Sequence, residues 1–106
     1  MIRGGLGDAF VVTSRIRVPV GGASQLENAF RRRLGAVDSW PGFLGLQVWR
    51  DTKVAGEYML VLWWTTPERY REYMHSHDHK TSHARVPKGA LAPVAVAVNR
   101  FEMVAL

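Results

Sequence analysis

The chain has 106 residues, 47% hydrophobic and 22% charged, which bounds it to a single globular domain with one modest core. It contains no cysteine, so disulfide scaffolds, thiolate nucleophiles and cysteine-ligated zinc or iron–sulfur sites are excluded. A formal charge of +5 suits an anionic ligand, no nucleic-acid motif accompanies it, and no run approaches the roughly 18 apolar residues of a membrane span.

Residues 1–9 are glycine-rich and lack the apolar segment of a secretory signal, so a flexible leader to a cytoplasmic domain over 10–106 is expected. FVVTSRIRV (10–18) alternates as a strand does: Phe10, Val12, Ile16 and Val18 share one face, Val11, Thr13, Arg15 and Arg17 the other. Ser14 is the polar exception on the apolar face, so its hydroxyl either bonds locally or faces a cavity. Pro19 and Gly21–Gly22 close the strand. Ser24 or Gly22 can cap a helix to about residue 38, with Leu26, Ala29, Phe30, Leu34 and Val37 as its stripe.

Pro41–Gly42 marks a turn. Two strands follow, 43–50 and 57–64, joined by the hairpin-length DTKVAG. Thr66, Pro67 and Glu68 supply an N-cap hydroxyl, a first-turn proline and an acid near the dipole's positive end. The helix they start continues, with a break near Ser76, until Val86–Pro87. PKGALAP (87–93) reads as a loop and VAVAVNRFEMV (94–104) as the last strand.

The order β–α–β–β–α–β is the α+β, ferredoxin-like arrangement, whose two helices cover one sheet face. Yet 43–49, 58–64 and 94–104 are apolar on both faces, which is how strands covered on both sides read. The expected cover for the second face is another copy, in a homodimer.

All four histidines lie at 75, 77, 79 and 83. On one continuous helix, at about 100° per residue, His75, His79 and His83 fall within roughly 80° of arc. Histidines at i and i+4 can share a metal. A break at Ser76 removes His75 from that frame, and Asp78 sits well around the helix. The expectation is therefore of plain surface residues at 75, 77 and 79.

The element order together with SWPGFLGLQVWRD and EYMLVLWWTTPERYREYM resembles the antibiotic biosynthesis monooxygenase family over roughly residues 10 to 104. Pro41, Gly42, Phe43, Gly45, Gln47, Arg50 and Trp64 carry the likeness. It implies a dimeric α/β barrel made from two ferredoxin-like sheets, with a pocket between each sheet and its helices. SHDHKTSHARV is similar to the helix segment of the haem-degrading branch, whose histidine binds the haem iron. By spacing from TTPERYREY the matching residue is His83. Where that branch has a strand asparagine and a helix tryptophan, this chain has Ser14 and Tyr73.

The resemblance thus implies a haem-degrading monooxygenase that uses haem as cofactor and substrate, with O2 and an external electron donor. His83 is the expected metal ligand, Ser14 and Tyr73 the catalytic side chains, and Trp64 and Phe30 the haem-lining ones, with Leu44 or Leu46 and Leu62. Arg15, Arg17, Arg31 and Lys80 are the candidate partners for haem carboxylates. The implied rivals are a cofactor-independent monooxygenase of quinol or polyketide-type aromatics and a non-enzymatic haem-binding dimer.

Overall fold

The computed structural model describes residues 8–32, 36–83 and 92–106, without the side chains of 36 and 81–83. The expected leader (1–9) lies almost wholly outside the described residues, as do Leu34 and most of the 87–93 loop.

The elements are β1 (Phe10–Arg17), α1 (Ala23–Arg31), a 3-10 turn (Ala36–Ser39), β2 (Phe43–Arg50), β3 (Glu57–Trp64), α2 (Pro67–Met74), α3 (His77–His83) and β4 (Val94–Glu102). The strands form one antiparallel sheet in the order β2-β3-β1-β4, as the ferredoxin-like reading requires. The first helix is shorter than its apolar stripe suggested. It stops at Arg31, and Val37 belongs instead to the separate 3-10 turn, from which it packs beside Trp64.

Local chemistry explains the helix boundaries. The Thr66 hydroxyl accepts the Arg69 N–H at 3.2 Å, with Pro67 opening α2. Ser76 makes the break between α2 and α3: its hydroxyl donates to the Tyr73 carbonyl and accepts the His79 N–H at 3.1 Å. Gly42 occupies φ +84°, and a Cβ there would meet Arg69 Cγ at 2.5 Å, so only glycine fits this approach of the turn to α2.

Even-numbered residues of β1 and β3 face the helices, because Phe10 and Trp64 stack against Tyr70 of α2 while Tyr58 packs with Leu26 of α1. Two cores result on that side. One holds Val12, Val37, Trp64, Tyr70 and Tyr73; the other holds Val18, Leu26 and Tyr58. Odd-numbered residues form a third cluster on the opposite face, where Ala9, Val11, Val61 and Trp63 pack with Leu44, Met59 and Met103. Trp49 and Phe101, on that same face, remain half exposed. No helix among the described residues is long and apolar enough to cross a membrane.

Candidate functional site

The register divides the helix-side surface of the sheet into four rows running across the strands. Glu102, Phe10, Trp64 and Phe43 form the first, and Arg100, Val12, Leu62 and Leu46 the second. The third is Val98, Ser14, Leu60 and Val48; the fourth is Ala95, Ile16, Tyr58 and Arg50. Three of these rows contain a buried residue: Trp64, Val12 and Tyr58. The Ser14 row contains none, and Val98 beside Ser14 is 48% exposed.

That row is the seam between the two helix-side cores. From the α1 side it is flanked by Phe30, which packs against the Val18–Leu26–Tyr58 cluster next to Val48 and Ile16. From the α2 side it is flanked by Val12 and Leu62, behind which stand Trp64 and Tyr73. Helix α3 packs its backbone mainly against α2 and the 3-10 turn. Among the described residues, the helix-side positions of β4 are exposed, while β1 beside it is buried at Val12 and partly buried at Ser14. A partly exposed serine on an apolar floor can hold a flat apolar ligand and offer it one hydrogen bond.

Phe30 thus borders the Ser14 row from α1, while Tyr73 packs with Trp40, Trp64 and His79 in the neighbouring core. Trp64 is fully enclosed, with Phe43, Tyr70 and Tyr73 around its ring at centroid distances of 5.2, 6.0 and 5.6 Å, so its part is to back Tyr73 rather than to face a ligand. The Trp64 indole N–H has no hydrogen-bond partner among the described residues. Of the two alternative leucines, Leu46 lies on the helix side and Leu44 packs on the opposite face. The backbone of His83 ends α3, and its side chain is outside the described part of the structure.

The candidate cations redistribute. Arg15 and Arg17 point away from Ser14, to the opposite face, where Arg17 holds Glu57 with contacts of 2.7 and 2.9 Å and Arg15 approaches it to 3.8 Å. Arg31 is engaged with Glu27, which also accepts from Arg50 Nε at 2.9 Å and from the Tyr58 hydroxyl. The Arg50 hydrogen bond, followed by that from Tyr58, holds the Glu27 carboxyl down to about 2. Burial, with the bond to Glu27 second, pushes the Tyr58 hydroxyl up. Lys80 is exposed on α3. An open cleft of about 240 Å³ near the hairpin is lined by Arg15, Trp49, Arg50 and Glu57; its two arginines are paired with carboxylates, and Arg15 is the one candidate residue it holds.

The histidines separate as the break demands, with one correction. His75 and His77 are exposed. His79 is not a plain surface residue: its ring meets Tyr73 edge-on at 5.3 Å and is partly buried. The restart at Ser76 rotates α3 relative to α2, which turns His79 inward. Among the described residues, no group of three or more His, Cys, Asp or Glu side chains is placed to hold a metal ion.

Residues 9–85 match the family model described as antibiotic biosynthesis monooxygenase, and the chain belongs to that family. A staphylobilin-producing heme oxygenase of Staphylococcus epidermidis is 37% identical over 87 residues, covering 80% of this chain and 83% of that protein. A mycobilin-producing heme oxygenase of Mycobacterium tuberculosis is 36% identical over 63 residues, covering 59% of this chain and 60% of that one. Among solved structures, the Mycobacterium tuberculosis heme-degrader MhuD with two hemes in its active site is 31% identical. It superposes with a TM-score of 0.74 over 91% of this chain and 96% of that chain. SnoaB, a cofactor-independent oxygenase from Streptomyces nogalater, shares the fold at 19% identity and a TM-score of 0.73, over 90% of this chain and 92% of that one.

Proposed function

We propose that this protein is a haem-degrading monooxygenase whose site is the seam around Ser14. The observation that carries the reading is that seam: a sheet row with no buried residue, apolar apart from one serine, on a chain similar to heme oxygenases. Every candidate residue, Ser14, Phe30, Trp64, Tyr73 and His83, falls inside the matched 9–85 region.

The residue types of this set suit haem. His83 would supply a neutral imidazole nitrogen to the iron from the α3 side, and the sheet side offers a hydroxyl and an otherwise apolar floor. Bound haem supplies a redox iron for O2, and its own porphyrin is the group oxidised, with electrons from an external donor. The protein's contribution is placement and solvent control. Ser14 donates its hydroxyl proton as a hydrogen bond on the ligand face turned toward the sheet. Phe30 and Tyr73 exclude water from the two flanks. Trp64, Trp40 and His79 brace Tyr73 from behind and beside.

Hemin titration tests the reading, followed by ascorbate under air. The expected outcome is a saturable Soret shift, its loss in His83→Ala, and decay of the band once reductant is added. A wild-type spectrum with no saturable shift would overturn the haem assignment and favour a cofactor-free oxygenase. A shift that survives in His83→Ala would remove His83 as the iron ligand. A band stable to ascorbate and air would leave a haem carrier.

A further inference from the structure

Six of the described arginines, at 15, 17, 31, 50, 69 and 71, are paired with carboxylates. Arg100 is not. It lies on β4 opposite Val12, one row from Ser14 and two residues along the strand from Val98, and on the same helix-side face. Its guanidinium carbon stands 6.0 Å from the centre of the Tyr70 ring, and its side chain is exposed. Arg32, the other described arginine without such a partner, sits at the C-cap of α1 and off the sheet.

We infer that Arg100 is the carboxylate anchor of the seam: its guanidinium holds a carboxylate at the edge of a flat apolar ligand lying on Val98 and Ser14. This rests on the haem reading of the site and names the group that orients the ligand there. Arg100 makes no ion pair among the described residues and, with Glu102 two residues along the same face, remains available to a ligand anion, whereas Arg15 and Arg17 share Glu57 on the opposite face and Arg31 shares Glu27 with Arg50. Contact with the Tyr70 face limits the swing of the side chain while leaving its five N–H donors at the edge of the open row. Val98 supplies the apolar floor alongside and Arg100 the charge at its margin. That pairing matches a macrocycle carrying propionates on one edge.

The test compares two ligands on one variant. Hemin and its dimethyl ester share the iron and the ring, but only hemin presents free carboxylates. Arg100→Gln is expected to weaken hemin binding about 5- to 10-fold, the range for one partly exposed charge-assisted contact, and to leave the ester's affinity unchanged. Arg100→Lys should recover part of the loss, because it restores the charge without the fork. Equal hemin affinity in wild type and Arg100→Gln would overturn the anchor, and so would equal losses for hemin and ester. Wild-type protein that binds neither ligand would defeat the haem reading itself. The melting temperature of the variant, measured in parallel, shows that the exposed substitution leaves the fold intact.

Discussion

Tyr73 joins packing to chemistry in one side chain. Its ring is 5% exposed and contacts Trp40, Trp64 and His79 at centroid distances of 5.5, 5.6 and 5.3 Å. Truncation opens a cavity beside a fully buried tryptophan, so Tyr73→Ala should destabilise the protein by roughly 3–5 kcal/mol, read from urea unfolding. The hydroxyl makes no hydrogen bond to another described residue, so Tyr73→Phe should unfold at nearly the wild-type midpoint. With haem bound, Tyr73→Phe then isolates the hydroxyl: unchanged hemin affinity with slower Soret decay assigns it to the reaction, and an unchanged decay confines Tyr73 to the wall. Ser14 was legible in the sequence because a polar residue interrupts an alternating apolar face. Arg100 was not, since nothing within VAVAVNRFE tells which face it takes; that needs the register of β4 against β1, set by pairs 77 to 92 positions apart. His79 was misread because its direction depends on how α3 restarts at Ser76.

Helix α1 is docked to the sheet by Glu27, which takes Arg50 from β2, Tyr58 from β3 and Arg31 from its own helix. Its carboxyl ordinarily titrates near 4.5 and is held at about 2 in the fold. The unfolded chain therefore binds the extra proton first as pH falls. The stabilisation is complete above about pH 4.5 and is lost as pH drops through about 2. Glu27→Gln should lower the urea midpoint at pH 7, and its gap from wild type should close between pH 4.5 and 2. A gap of constant size across that range would show that Glu27 acts through packing rather than charge. The boundaries of β2, β3 and α2 were readable because turn glycines, a Thr-Pro-Glu start and apolar runs agree with one another there. The end of α1 was not: its apolar periodicity carries on through the 3-10 turn, and spacing alone does not separate one long helix from a helix plus a turn.

At the scale of the whole molecule, the sheet has one face under helices and one without, and its strands are apolar on both. Val61 and Trp63 are already buried on the helix-free face, yet Trp49 on β2 and Phe101 on β4 are left 50% and 52% exposed at its two edge strands. Two aromatics on opposite edges of one sheet face are poorly suited to water and well suited to a matching face. In a two-fold pair each protomer contributes both, and covering the four rings is worth roughly 10 kcal/mol before the cost of association, which is of similar size. The remaining apolar contacts of the face are expected to tip the balance toward a dimer. Light scattering behind size-exclusion chromatography should give twice the chain mass at micromolar concentration. The double substitution Trp49→Glu, Phe101→Asp should give a monomer, because it places four charges in the interface without touching the Ser14 side of the sheet. A wild-type monomer at tens of micromolar would rule the pairing out. A monomeric variant that still takes up hemin would separate ligand binding from assembly, as expected if the seam lies wholly within one chain.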